Sequence, residues 1–202
     1  MPLTNCYLTV AELKTYIGNI TDSVDDAALE RVIAAACRQV DTHCGRFFYP
    51  QTSTIKYYSP NNGSLLLVHD LLSISALGSD EDRDGVWEVA WASTDYVLTP
   101  RNAAYAVPVR PYYAVEVAPA GRYVFVRGRD TVKLTGSYGW TAAPDAVVEA
   151  SFLQSSRLFG RKQNPYGVAG SPALGSLSML KAEMDPDALT LLAPYVQAVV
   201  LS

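Results

Sequence analysis

The chain has 202 residues, 49% of them hydrophobic and 18% charged, the make-up of a folded protein of one or two domains, and this excludes a disordered chain. A net charge of -4 excludes a protein whose main work is to neutralise nucleic-acid phosphates, because such binders carry clustered Lys and Arg in excess. Cys6, Cys37 and Cys44 are an odd number without CxxC spacing, so neither a disulfide framework nor a zinc knuckle is expected, and a reducing cytosol is the simplest home.

In chain order, Thr9 is placed to cap a first helix, Glu12 to reach back to it, and Leu8 to staple onto Leu13, with Gly18 as the stop. A second start follows at Ser23 with Asp26 three residues on. Leu29, Val32, Ile33, Ala36, Cys37, Val40 and Cys44 then fall on one helical stripe that Gly45 closes. The other face carries Glu30, Arg31, Arg38, Gln39 and Asp41. From Phe47 the pattern turns to short β runs: 52–58, 64–68, 71–77, 87–91, 96–98, 112–117, 123–126 and 131–138, separated by Gly, Pro, Asn and Asp. His69-Asp70 reads as the turn between two of them.

Helical periodicity resumes at Pro144, with Val148, Phe152, Ser155 and Phe159 on one face up to Gly160 and Arg157, Arg161 and Lys162 near the end, where the helix dipole favours cations. Residues 163–184, rich in Gly, Ser, Pro and Ala, predict a long flexible loop. Asp185-Pro186 opens a last short helix, Asp187 to about Ala193, which Pro194 ends. The tail from Tyr195 to Ser202 is apolar and β-branched. The predicted fold class is therefore α+β: a small bundle of about four helices drawn from both chain ends (1–46 and 141–195), with a long β-rich insertion (47–140) between the second and third helices and a C-terminal tail (196–202) that pairs with a partner. No run approaches the roughly 20 apolar residues a membrane helix needs, and no basic-then-apolar leader opens the chain, so a soluble, unexported protein is expected.

The order of these elements, and the wording of several stretches, resembles the head-tail connector (adaptor) family of tailed bacteriophages. The stretches are Tyr7-Leu8-Thr9-Val10-Ala11-Glu12-Leu13-Lys14; Asp25 to Ala36 with Cys44-Gly45-Arg46-Phe47-Phe48; and Gly136-Ser137-Tyr138-Gly139-Trp140 before Pro144. Arg157-Leu158-Phe159, Pro165-Tyr166-Gly167-Val168-Ala169-Gly170, Asp185-Pro186-Asp187 and Leu191-Leu192-Ala193-Pro194-Tyr195 complete the set. The resemblance implies a structural virion protein of the neck, assembled in the host cytoplasm, that forms a ring, dodecameric in such proteins, beneath the portal. Its implied partners are the portal protein, neighbouring copies of itself and the next neck or tail protein. DNA passes through its channel without sequence-specific binding, and neither a membrane nor a cofactor is involved. The β insertion is longer than in compact members of the family.

The residues themselves point to assembly. Tyrosine, present 13 times, combines an apolar body with a polar tip and few rotamers to freeze, which suits interfaces. An apolar β-branched tail is able to join a partner's sheet by strand addition, so Val196 to Leu201 is expected to dock on the portal or a neighbouring subunit. The expected portal or subunit interface comprises Arg157, Arg161, Lys162, Tyr166, Tyr195, Val196, Val199, Val200 and Leu201, with the basic side chains facing acids such as Glu30 or Asp41 of a neighbour, or ending a solvated helix. Asp80, Asp82 and Asp84 open like a calcium loop, yet the twelfth position is Trp91 where a bidentate Glu belongs, so an acidic hairpin tip is the stronger reading. Only His43 and His69 are of a residue type able to serve as a base at neutral pH. Neither has an evident nucleophile partner, and no GxSxG, HExxH or Walker loop is present, so no enzyme, catalytic residue or metal is expected. The rival readings are a tail-completion or head-closure neck protein, which mixes β structure with loops but lacks helices at both ends, and a β-sandwich carbohydrate-binding module.

Overall fold

The computed structural model describes residues 3–18, 20–106, 109–163, 168–169, 178–179 and 183–197. It divides into two compact units, Met1–Arg46 with Ala143–Gln197, and Phe47–Ala142. The fold is α+β, with four α-helices and a six-stranded antiparallel sheet whose residues lie between the second and third helices.

In the helical unit, Thr9 and Glu12 close a reciprocal box at the start of α1 (Val10–Gly18). The Glu12 carboxylate accepts the Thr9 N–H at 2.7 Å, and the Thr9 hydroxyl accepts the Glu12 N–H at 3.3 Å. Donors that a helix start would orphan are thereby satisfied, and Leu8 and Leu13 are buried in one cluster beside them. Helix α2 (Asp26–Cys44) begins three residues after Ser23. Ser23 lends its carbonyl, not its hydroxyl, to the Asp26 N–H at 3.3 Å, and Asp25 takes the cap position. Leu29, Ile33, Ala36, Cys37, Val40 and Cys44 are buried at helical spacing, and Gly45, left-handed at φ 65°, ends the helix by donating its N–H to the Asp41 carbonyl.

Helix α3 (Asp145–Gln163) departs from expectation twice. It runs through Gly160 to Gln163, because an interior glycine costs only about 1 kcal/mol relative to Ala and tertiary packing outweighs that. Its buried face is Val147, Ala150, Ser151, Gln154, Ser155 and Phe159, whereas Val148 and Phe152 are only partly buried. Small side chains on that face let α2, with Ala36 fully buried, approach closely; the sequence pattern followed the larger residues instead. Helix α4 (Pro186–Leu192) is capped by Asp185, and Pro194 lies inside a following 3-10 turn, Ala193–Tyr195. Leu8, Leu13, Leu29, Ile33, Cys37 and Phe159 form a common core. Cys6, Cys37 and Cys44 are free thiols; burial pushes Cys37 up to about 12 and Cys44 up to about 11.

Within the stretch expected as a plain loop, β7 (Val168–Ala169) and β8 (Ser178–Met179) pair as a two-residue antiparallel ladder.

In the sheet unit, β1 (Gln51–Tyr58), β2 (Leu65–Ser79), β4 (Tyr96–Thr99), β5 (Tyr112–Val117) and β6 (Val132–Tyr138) stand in the order β1-β6-β2-β5-β4, with β3 (Val89–Ala90) paired to β2. The expected turn at His69-Asp70 is instead a kink inside one 15-residue strand. Asp70 adopts φ 45°, and its carbonyl accepts the Gly139 N–H at 2.6 Å. Asp tolerates this conformation locally, which is why the dipeptide reads as a turn, but sheet pairing on both sides holds the chain extended. Strand β2 pairs with β5 from Leu65 to Leu71 and with β6 from Leu71 to Ser79. The extra residue changes the side-chain parity, so Leu66 and Val68 before the kink and Leu71 and Leu77 after it share one core with Val115, Val132, Leu134 and Tyr138.

The run expected as a strand at 123–126 forms no ladder. Phe125 donates its N–H to Gly63 at 2.8 Å, and its ring, 2% exposed, stacks on Trp91 at 4.7 Å. The expected strand 87–91 shrinks to Val89–Ala90; Trp87 packs on Tyr57 at 4.9 Å, and Trp91, whose N–H still donates to the Leu77 carbonyl at 2.9 Å, puts its ring into the core.

Candidate functional site

The expected interface residues fall into different settings. Arg157 lies where α2, α3 and α4 meet. Its guanidinium is 3.4 Å from the Asp185 carboxylate, with both side chains about four-fifths covered. The other Asp185 oxygen accepts the N–H groups of Asp187 at 2.9 Å and Ala188 at 3.4 Å, so one carboxylate caps α4 and holds a cation on α3. Gln154, 2% exposed, completes the seam: its Oε1 accepts the Asp185 N–H at 3.0 Å and its Nε2 donates to Gln39 Oε1 at 2.7 Å. Helices α2, α3 and α4 are thus joined by a polar chain that hydrophobic periodicity does not reveal. The available signal was an amide in the middle of a helix, three residues beyond Ser151 on the same face.

Beside this seam is a cleft of about 400 Å³ whose wall includes Arg38, His43, Arg157, Arg161 and Glu183. Its basic residues are offset by acids within the unit: Asp185 for Arg157, and Asp41 for Arg38 at 3.0 Å. Asp41 also accepts the Tyr7 hydroxyl. Burial raises the Asp41 carboxyl above its usual range, while the Tyr7 bond and Arg38 oppose that rise.

Tyr195 is 8% exposed and packs inside its own unit, so little of its ring is open to a partner. The chain then turns outward. Val196 is 44% exposed and extended, and the Gln197 N–H donates to the Cys44 carbonyl at 2.8 Å, which ties the root of the tail to the end of α2. The Lys162 side chain, Tyr166, Val199, Val200 and Leu201 lie outside the described residues.

The acidic run is a self-closed hairpin tip. Asp80, 4% exposed, accepts the N–H groups of Arg83 at 2.6 Å and Gly85 at 2.9 Å, while Asp82 takes that of Asp84 and Asp84 that of Val86. One oxygen each from Asp80, Asp82, Asp84 and Glu88 lie within 4.8 Å of one another. The backbone bonds of the three aspartates explain their convergence as turn formation.

The sheet unit holds a larger cleft, about 640 Å³, between β1 and the first half of β2. Ile55, Tyr57 and Leu67, each roughly half exposed, border it. The Tyr58 hydroxyl spans it by accepting the His69 N–H and lies 3.5 Å from the Tyr138 hydroxyl. Lys56 turns inward over the Tyr138 ring, 4.0 Å from its centroid, and burial lowers its ammonium below the usual range against the opposing pull of Asp70.

No protein-family model and no curated protein matches the sequence. Solved structures do match the fold. A chain from the neck of an empty gene transfer agent (GTA) particle, computed with C6 symmetry, superimposes with a TM-score of 0.57 at 16% identity, covering 100% of this chain and 95% of that one. A chain from the neck of the native particle, computed with C12 symmetry, gives 0.57 at 17%, covering 100% and 94%. A chain from the virion of the native particle gives 0.51 at 19%, covering 96% and 92%. The likeness covers helices and sheet, so this chain shares its fold with chains of the GTA particle.

Proposed function

We propose that this chain is a non-enzymatic subunit of the neck of a tailed-phage-like virion, a connector that forms a ring, dodecameric by this reading, beneath the portal, extends the DNA channel and joins the head to the next neck or tail protein. The observation that carries the reading is the end-to-end match to neck chains of particles computed with C6 and C12 symmetry. Coverage of more than nine-tenths on both sides means that the β unit is matched along with the helices. Helices at both chain ends weigh against the tail-completion alternative, which lacks them.

The mild negative charge suits a channel through which DNA must slide, since a basic lumen would retain phosphates. In a ring each copy uses two different patches, one for each neighbour, and the contacts must close around the axis. The exposed Val196 and the apolar tail after it are assigned to such contacts, with the portal or with the adjacent copy; Arg161, Lys162 and Tyr166 belong to the same assignment. The test is electron microscopy of the purified chain with and without portal particles from the same virion. Rings, or density capping the portal, are expected. A chain that stays monomeric and leaves portals bare, or that is missing from mature particles, overturns the reading.

A further inference from the structure

The three thiols of the helical unit differ in their surroundings. Cys37 and Cys44 are fully buried on α2, whereas Cys6, in the segment before α1, is partly exposed. Cys44 has Arg46 and Asp41 as its charged neighbours. Cys37 instead faces Cys6: its thiol donates to the Cys6 sulfur, and the Cys6 thiol in turn points at the Thr4 carbonyl at 3.7 Å. The backbone fixes this meeting independently. The Tyr7 N–H donates to Cys37 Sγ at 3.4 Å, and a peptide nitrogen lies about 2.4 Å from the preceding Cα, so the Cys6 Cα is within about 5.8 Å of the Cys37 sulfur. Cys6 also packs on the cluster that buries Cys37. The residues on either side are tied to α2 as well: the Asn5 carbonyl accepts from Arg38 at 2.6 Å, and the Tyr7 hydroxyl donates to Asp41.

We propose that Cys6 and Cys37 are a thiol modification site, which a low-molecular-weight disulfide such as oxidised glutathione converts to one intramolecular disulfide that fastens the segment before α1 to α2. Cys6 reacts first, because it is the thiol that reaches solvent. Its sulfur attacks one sulfur of the reagent, which forms a mixed disulfide and releases one reduced thiol. Cys37 then attacks the Cys6 sulfur, the protein disulfide forms, and the second reduced thiol leaves. The reagent gains the two electrons and the two protons that the cysteines lose, so nothing else is consumed. Burial, opposed by the Tyr7 N–H, holds Cys37 as a thiol and makes the second step the slow one. Cys44 is excluded as a partner of Cys37, since seven residues along one helix separate them by about 10 Å. The bridge closes a loop that contains all of α1, and it restrains the unfolded chain over that length. The inference stands on the isolated chain and does not depend on the neck reading.

Trypsin separates the three cysteines into peptides 1–14, 32–38 and 39–46, so mass spectrometry reads the pairing directly. The full chain is reduced, freed of reductant, incubated at neutral pH without denaturant with oxidised glutathione, and quenched with N-ethylmaleimide in urea. Peptide 1–14 joined to 32–38 is expected, with 39–46 carrying the maleimide. The melting temperature at 222 nm is expected to rise by at least about 5 °C and to fall back when dithiothreitol is added. Cys6→Ser alters the partly exposed thiol and spares the buried ones, and circular dichroism of the reduced variant checks that it folds. It should lose both the cross-link and the shift. Recovery of Cys6 and Cys37 as alkylated thiols overturns the inference. So does glutathione that stays on Cys6 without transfer to Cys37, a bridge from Cys6 to Cys44 or to another molecule, or a cross-link that leaves the melting temperature unchanged.

Discussion

The two units join their elements by opposite means. In the helical unit, side chains make the links: Gln154 and Asp185 tie three helices through two hydrogen bonds and an ion pair, on a face built from Ala and Ser, while Asp185 also caps α4. In the sheet unit the main chain makes them, and buried polar side chains such as Asp80 and Asp95 mostly finish turns by accepting nearby N–H groups. The difference teaches where each unit is fragile. The helical unit should be sensitive to what side chains offer, and the sheet unit to what backbone space allows.

The sharpest expected effect is therefore at a glycine of the sheet. Gly139 has φ 92°, and a Cβ there would sit 2.1 Å from the Tyr49 carbonyl oxygen. Gly139→Val should cost on the order of 4 kcal/mol, a value reserved for such clashes. All three tryptophans, Trp87, Trp91 and Trp140, lie in the sheet unit, so fluorescence during urea unfolding reports it, while the 222 nm signal reports the helices. The fluorescence transition should move and the 222 nm transition lag behind it. A coincident shift in both would mean that the units unfold as one and would break the contrast drawn here.

The counterpart in the helical unit is Leu29→Ala. Leu29 is fully buried against Leu13, Ile33 and Phe159, and its truncation should cost about 3 kcal/mol. The 222 nm transition is now expected to lead.

Much of this architecture was legible in the sequence, and the misses share a cause. The Thr9–Glu12 box, the α2 stripe and the Asp185 cap each depend on residues within a turn of one another, and local spacing records them. The kink at Asp70, the loss of strand at 123–126 and the true inner face of α3 are decided by partners far along the chain: Gly139 for Asp70, Gly63 for Phe125, and α2 for α3. The same division holds for the candidate site. That the tail is apolar and β-branched is written in its residues, but the seam of Gln154, Asp185 and Gln39 joins residues from three helices far apart in the chain.

Asp185→Ala tests whether side-chain links carry the helical unit. It removes the α4 cap and the partner of Arg157 together, and a loss of about 1–2 kcal/mol is expected in the 222 nm transition. Asp185→Asn keeps the capping acceptor and drops the charge, so it should recover more than half of that loss. Equal losses in the two variants would assign the whole effect to the ion pair.

The smallest effect is the one that pH reveals at Glu12. The Thr9 N–H and then the Thr9 hydroxyl hold its carboxyl below the usual value of 4.5, with slight desolvation opposing them. A carboxyl whose pKa is lower in the folded chain leaves the unfolded chain binding more protons, so its contribution is present above the unfolded value and is lost as pH falls through the folded one. Glu12 is largely solvated, and screening keeps the contribution below about 0.5 kcal/mol. Glu12→Gln keeps a capping oxygen without the charge. Its melting temperature should therefore fall less than that of the unmodified chain between about pH 5 and pH 3, the range in which carboxyls titrate. Parallel pH profiles for the two proteins would show that the α1 box depends on hydrogen-bond geometry alone.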